Sequence, residues 1–362
     1  MTVPFLKGKY MHLYTKDGYY QIGHDIETYP DAVAFFVIGG RGTGKTYGTL
    51  KYMLDKDEPI VYVKRTKDDV DLICASGSDT TGMIQFNPYE QINRDYDREI
   101  IADPIKKGFG AFYDCTNEEK KFVGYITALS AVANVKGFEM QRATWQIFDE
   151  FIPIKGQRVS KSEGTNTLDL YETVNRSRDV RGADPLRMIF LANSTSLNNQ
   201  IFEVFDLIDT VQQMKTDGKS ALYLPERFIF IRLLDDNEEF QKRRGRSKIF
   251  AAVGKESSWS RSALANEFAF DDDSMIEKHS LSGWRADYRV KFNDGKLFYV
   301  YRRGKKFYLS SATHTSGRLY DCDTDGGKQA FREKVIDLRW ANADGDLTSE
   351  KFSFYAYVRD FK

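Results

Sequence analysis

The stretch Phe35-Phe36-Val37-Ile38-Gly39-Gly40-Arg41-Gly42-Thr43-Gly44-Lys45-Thr46 decides the fold. It begins inside an apolar run from Ala32 to Ile38 and leads into Tyr47, Leu50, Met53 and Leu54 at helical spacing. The run reads as a buried strand, and the residues after it as one face of a helix. Residues 39–46 therefore satisfy G-x-x-x-x-G-K-[ST] in the setting that motif requires. Glycines let the backbone curl so that successive N–H groups face a phosphate chain, with a helix N-terminus behind them. Gly39, Gly40, Arg41, Gly42, Thr43 and Gly44 are thus expected to cradle a nucleotide. Lys45 would reach its β- and γ-phosphates, and Thr46 would offer a hydroxyl to Mg²⁺.

A phosphate loop that hydrolyses its nucleotide needs acids on a neighbouring strand. Thr144 to Phe148 is a short β-prone run ending in Asp149-Glu150. Asp149 is expected to hold Mg²⁺ through its water shell. Glu150 would polarise the attacking water, a role that needs a base close to the metal but not on it. Adjacent acids favour the motor-type ATPase division, and no Asn-Lys-x-Asp guanine-reading motif is present, so ATP is the expected nucleotide. Leu186 to Leu191 is another buried-strand run, closed by Ala192-Asn193-Ser194. Asn193 is placed to sense the γ-phosphate, or to serve as a simple turn residue. Leu168 to Val174 reads as a helix that delivers Asn175-Arg176-Ser177-Arg178. A guanidinium there could act in trans on a neighbour's ATP, or belong to a solvated basic face.

Composition narrows the partners. Fifty-three basic and 53 acidic side chains cancel, so polyanion binding must come from local patches. Three candidates are Lys64-Arg65-Thr66-Lys67, the 242–248 segment with Arg243 and Arg244, and residues 302–306. Residues 298–308 interleave aromatic and cationic side chains, which suits nucleic acid. Cys74, Cys115 and Cys322 are far apart and odd in number, which fits a reducing compartment. No Cys/His spacing motif suggests zinc, and no apolar run reaches membrane-spanning length. An intracellular protein without a membrane partner is expected.

Other stretches complete the architecture. Tyr10, Tyr14, Tyr19, Tyr20 and Tyr29 are expected to pack beside the base or along the sheet edge. Pro59 to Val63 reads as a second strand, and Phe109 to Leu129 as a hairpin. Residues 75–108 show little periodicity, and 154–165 reads as a loop. Strands alternating with helices or long crossovers imply a mainly parallel sheet covered on both faces. From residue 237 the chain turns polar and basic. Beyond 272 comes a meander, Ala286 to Phe292, Leu297 to Tyr301 and Phe307 to Leu309, then a helix from Lys328 to Leu338 and a final strand from Phe352 to Val358.

Taken together, residues 36–47, Ile147 to Ile152 and Thr173 to Arg178 resemble the DNA-packaging ATPases, or encapsidation proteins, of phi-twenty-nine-like small tailed phages. Asn193-Ser194 and Ile276-Glu277-Lys278 fit the same order. The resemblance implies a homopentameric ring that drives double-stranded DNA into an empty procapsid by ATP hydrolysis. Its partners would be duplex DNA and the portal (connector) protein, with a structured phage RNA as a further candidate. It would work in the host cytoplasm, transiently at the portal vertex, and be absent from the mature virion. Carried over by position, Arg176 falls on a trans-acting arginine finger, Lys136 on a second basic residue acting between subunits, and Lys67 on a lysine facing the DNA channel. The smaller domain would be a degenerate, RNase H-like nuclease domain.

The fold expected is therefore α/β: a phosphate-loop ATPase domain over 1–236, a basic helical linker over 237–272, and a smaller α+β domain over 273–362. Two readings compete with a packaging motor. A terminase-like ATPase would keep a live C-terminal nuclease, using acids among Asp287, Asp321, Asp323 and Asp325. A nucleic-acid binder would use ATP only as a switch.

Overall fold

The computed structural model describes residues 12–75, 86–135, 137–154, 156–157, 159–234, 248–253, 271–293 and 295–361. The chain divides into two compact units, one of residues 1–196 with 217–269 and one of 197–216 with 270–362.

The first unit is built on a nine-stranded sheet. In chain order its strands are β1 (Ala34–Ile38), β2 (Ile60–Lys64), β3 (Ile100–Lys106), β4 (Phe109–Asp114), β5 (Lys121–Ala128), β6 (Trp145–Asp149), β7 (Arg187–Ala192), β8 (Ala221–Leu224) and β9 (Ile229–Leu233). They lie in the order β3-β4-β5-β2-β6-β7-β1-β9-β8. The six strands from β5 to β9 run parallel, and β3, β4 and β8 join antiparallel at the edges. Every residue of β1 and β6 is buried, as expected for central parallel strands with both faces covered. Phe36 stacks on Phe190 of β7 at 4.5 Å between ring centroids, and Phe35 packs against Trp145 and Phe230.

The strand order explains where chemistry collects. β7 separates β1 from β6, with Ile38 paired to Ala192 and Leu191 to Asp149. The residues after these three strands (Gly39, Asn193 and Glu150) therefore leave the same C-terminal edge side by side. Ligands of open α/β sheets bind at that edge.

The helices of this unit are α1 (Ile22–Thr28), α2 (Lys45–Asp55), α3 (Lys67–Ala75), α4 (Glu90–Tyr96), α5 (Val132–Val135) and α6 (Glu163–Asn175). The hairpin expected near residue 109 is β4 and β5. β3 lies in the stretch that lacked periodicity. It is an edge strand carrying Asp103, Pro104 and Lys106, and half of it faces solvent, which hides the alternation.

The second unit begins with α7 (Gln200–Val204) and α8 (Ile208–Thr216), within the 1–236 span expected for the ATPase domain. The rest is a five-stranded sheet of β10 (Arg285–Phe292), β11 (Lys296–Arg303), β12 (Lys306–Ser310), β13 (Leu319–Asp321) and β14 (Leu347–Ser349), in the order β13-β10-β11-β12-β14. The meander β10-β11-β12 is antiparallel, while β13 and β14 join its two edges parallel. The central helix α10 (Asp325–Ala343) exceeds the expected 328–338, its first turn capped by the Thr324 hydroxyl, which accepts from the Gly327 N–H at 3.1 Å.

One expectation is corrected here. Residues 352–358 are not a strand but part of helix α11 (Phe352–Asp360), with Phe352, Phe354, Tyr355, Ala356 and Val358 buried. The aromatic, β-branched composition is strand-like, but distant side chains satisfy the helix ends. Asp209 of α8 accepts from the Ser353 N–H at 2.9 Å, and Arg339 of α10 donates to the Val358 carbonyl at 3.0 Å. The proposed linker, 237–272, lies almost wholly outside the described residues, except for Lys248–Val253, which form a short helix (α9), and residues 271–272.

Candidate active site

The phosphate loop bends through Gly42 and Gly44, at φ 76° and 89°, a region L side chains rarely adopt. Gly44 caps α2, and a Cβ added there would lie 3.1 Å from the Tyr19 Cβ. Lys45 is buried. Its ammonium donates to the carbonyls of Gly39 at 2.9 Å and Gly40 at 2.7 Å, and lies 3.4 Å from the Asn193 Oδ1. β7 thus brings Asn193 beside the lysine of the loop.

Across the same edge, the Thr46 hydroxyl donates to Asp149 Oδ1 at 3.1 Å. Tyr62 of β2, fully buried, donates its hydroxyl to Asp149 Oδ2 at 2.6 Å. Burial, then the neighbouring Asp149 charge, push the Tyr62 phenol well above its ordinary pKa, so it stays a donor. Lys64 lies 3.7 Å from Asp149 Oδ2 and donates to Glu150 Oε2 at 3.2 Å. Burial works against its charge, but the Asp149 and Glu150 carboxylates prevail and hold its pKa above the usual lysine range. Glu150 itself is 66% exposed and sits at φ 61°, a left-handed conformation for a non-glycine residue.

These groups open onto a cavity of about 1140 Å³. Residues 41–46, Asp149, Glu150 and Asn193 line it, as do Tyr19, Tyr47, Lys51 and Tyr96. Of the N-terminal tyrosines, Tyr10 lies outside the described residues. Tyr19 faces the cavity, whereas Tyr29 stacks on Phe230 and packs against Tyr223 at the β8–β9 edge. Tyr20 is buried, and its N–H donates to the Thr43 carbonyl at 2.9 Å, docking this segment on the loop. Its hydroxyl donates to Asp25 at 2.8 Å, and Asp25 is paired with Arg232. The residues fit magnesium and a triphosphate: Thr46 and Asp149 present two oxygens 3.1 Å apart, hard donors suited to Mg²⁺, beneath a loop with the backbone freedom to cradle phosphate.

Arg176 does not line this cavity. It is the C-cap of α6, at φ 45°, and its guanidinium donates to the Phe138 carbonyl at 3.1 Å. Lys67 is half-buried at the start of α3, its stem over Gly108. Lys136, Arg243 and Arg244 lie outside the described residues.

Two residues expected to touch nucleic acid have partners within the chain. Lys64 is engaged by Asp149 and Glu150. Arg65 is buried, its guanidinium donating to Glu163, Gln157 and the carbonyls of Glu150 and Phe151. The sequence reading missed Tyr62, Asp25, Arg232 and Glu163, because each acts through a partner 85 or more positions away or on another element. Tyr62 alone carried a signal, a hydroxyl in an otherwise apolar strand.

In the second unit, Asp321 and Asp323 are both paired with Lys291, at 3.2 and 3.4 Å. Among the described residues no group of three or more His, Cys, Asp or Glu side chains could hold a metal ion. At the other end of the meander, Arg285 opposes Arg302 and Arg303 opposes Lys306, all exposed.

Comparison with known proteins places this arrangement. Residues 16–327 match the podovirus DNA encapsidation protein (Gp16) family. The chain is 27% identical over 255 residues to the DNA packaging protein of Bacillus phage B103, covering 69% of this chain and 68% of that protein. It is 25% identical over 257 residues to the DNA packaging protein of Bacillus phage phi29, covering 69% and 66%. Among solved structures it resembles a chain of the bacteriophage Phi-29 viral genome packaging motor assembly, at TM-score 0.63 and 21% identity, over 95% of this chain and 100% of that one. It also resembles the Phi-28 gp11 DNA packaging motor, at TM-score 0.58 and 17% identity, over 96% and 99%. The fold is therefore that of a packaging motor protein, and with most of its length matched, the chain belongs to the podovirus DNA encapsidation family and is a DNA-packaging protein.

Proposed function

We propose that this chain is the ATP-hydrolysing subunit of a ring motor that drives duplex DNA into a procapsid. The observation that carries the reading is the convergence of Lys45, Thr46, Asp149, Glu150 and Asn193 on one sheet edge beside a cavity large enough for a nucleotide. Mg²⁺, held by Thr46 and Asp149, would neutralise charge on the β- and γ-phosphates when bound. Lys45 leaves the loop carbonyls for those phosphates, and Asn193 reports the γ-position. Glu150 takes the proton of a water that attacks the γ-phosphorus; the bond to the bridging oxygen breaks, and ADP leaves. Arg176 lies outside its own cavity, which suits a finger offered to the next subunit's ATP, with Lys136 as a second inter-subunit cation.

DNA is gripped through its phosphates, so binding is indifferent to sequence and weakens steeply with salt. Lys67, Arg243 and Arg244 are candidate contacts. So is the Arg285–Lys306 end of the meander, where like charges face each other across strands, an arrangement that costs stability without a polyanion. The working assembly is a pentameric ring at the portal vertex in the host cytoplasm, joined to the portal protein and, by the resemblance, to a structured RNA.

The test is steady-state ATP hydrolysis with and without duplex DNA, for wild type, Glu150→Gln, Arg176→Ala and a mixture of the two variants. DNA should stimulate wild type, each variant alone should be inactive, and the mixture should recover part of the activity. Turnover indifferent to DNA, with no recovery on mixing, would favour a nucleotide-switched binder.

A further inference from the structure

Arg65 directly follows β2 and is 9% exposed. Its guanidinium makes a fork to Glu163, with Nε to Oε2 at 2.7 Å and Nη2 to Oε1 at 3.1 Å. The same Nη2 donates to the carbonyls of Glu150 at 3.1 Å and Phe151 at 2.9 Å, and Nη1 donates to Gln157 at 3.1 Å. Glu163 is itself 3% exposed and is the first residue of α6, whose C-cap is Arg176. One buried guanidinium thus holds both the backbone of Glu150 and the base of the helix that carries Arg176.

Three physical points give this weight. Glu150 keeps φ 61°, which a non-glycine residue holds only where its surroundings enforce it. Lys64 grips the Glu150 side chain while Arg65, the next residue, grips its backbone. A buried ion pair adds little net stability over a well-packed apolar pair, but an apolar pair cannot donate to two carbonyls. α6, with 13 residues, would pass a displacement of Glu163 to its far end about 20 Å away as a rigid rod.

Resting on the roles given above to Glu150 and Arg176, we infer that Arg65 is a positioning residue for hydrolysis and that the Arg65–Glu163 pair joins the water-activating residue of one site to the helix presenting the finger to the next. Closure around ATP that shifts the Glu150 backbone then shifts α6 as well.

The experiment uses the full chain with duplex DNA and compares Arg65→Lys, the double variant Arg65→Met/Glu163→Leu, and Glu150→Gln. The double variant restores packing but removes the donors to both carbonyls. Binding of a fluorescent ATP analogue should stay within about threefold of wild type for both Arg65 variants, since neither residue touches the phosphate loop, while kcat falls at least thirtyfold. Mixed with Arg176→Ala subunits, Glu150→Gln should restore activity and the Arg65 variants should not, because their finger helix has lost its anchor. Wild-type kcat in both Arg65 variants overturns the inference. So does restoration of the Arg176→Ala mixture as fully as Glu150→Gln achieves. If the double variant fails to bind nucleotide, Arg65→Lys carries the same comparison. Turnover by Glu150→Gln itself would instead sink the reading of the site, whatever the Arg65 variants do.

Discussion

Replacing Asp25 with alanine should destabilise the first unit far more than a surface change, and the structure sets the size. Asp25 is fully buried and accepts from Arg232 Nε at 3.0 Å, from Arg232 Nη2 at 2.5 Å and from the Tyr20 hydroxyl at 2.8 Å. Asp25→Ala leaves the buried Arg232 guanidinium without its counter-charge, a loss of about 3–5 kcal/mol. At about 2–4 °C per kcal/mol for a domain of this size, the melting temperature should fall by roughly 6–20 °C. The effect should reach the nucleotide, because Tyr20 loses its anchor while its N–H still ties the segment to Thr43. The assay is thermal unfolding with and without an ATP analogue, on Asp25→Ala and on Asp25→Leu/Arg232→Met. The double variant removes both charges and should recover most of the loss. A single variant within about 1 kcal/mol of wild type, or a double variant as unstable as the single, would refute the argument.

Other outcomes follow from the same geometry. Tyr62→Phe removes a buried hydrogen bond to a carboxylate, worth about 1.5–3 kcal/mol, so the Mg²⁺ concentration for half-maximal ATP hydrolysis should rise about ten- to hundredfold. Gly44→Ala forces a side chain to φ 89° against Tyr19, costing about 1–2 kcal/mol in the loop conformation, and calorimetry should find nucleotide binding weakened about five- to thirtyfold. Tyr20 and Tyr62 have pKa values well above the ordinary phenol, through burial first and then Asp25 and Asp149 respectively. Their contribution to stability is complete below the unfolded pKa of about 10 and is lost as pH rises beyond it, so urea midpoints should fall between about pH 10 and 11. At the acid end, burial opposes the Asp360 charge, but Arg359 outweighs it and lowers the pKa; that contribution is present above about pH 4 and lost below it.

Much of the site was legible because its signals are local. The phosphate loop must follow a strand and precede a helix, so twelve consecutive residues carry both the motif and its context. Asp149 and Glu150 were legible for a similar reason, since they are adjacent in the chain at one strand end. The partners of Lys64 and Arg65 were not legible, because a cation at a strand end looks alike whether it meets solvent or a carboxylate 85 or more positions further along. The zero net charge of the chain gave no help in deciding which cations are paired.

Residue order alone determined the parallel-sheet class, the glycine-rich loop between strand and helix, the acidic pair at the end of β6 and the meander of the second unit, because periodicity, turn chemistry and motif spacing act over a few residues. Tertiary structure decided what depends on partners brought together by the chain's path. Tyr62 meets Asp149 only because β2 lies beside β6, and Asn193 meets Lys45 only because β7 lies between β1 and β6. Residues 352–358 show the limit most clearly. Their composition favours a strand, yet Asp209 and Arg339 satisfy the N–H and carbonyl groups at the two ends of a helix, and the buried aromatic face does the rest.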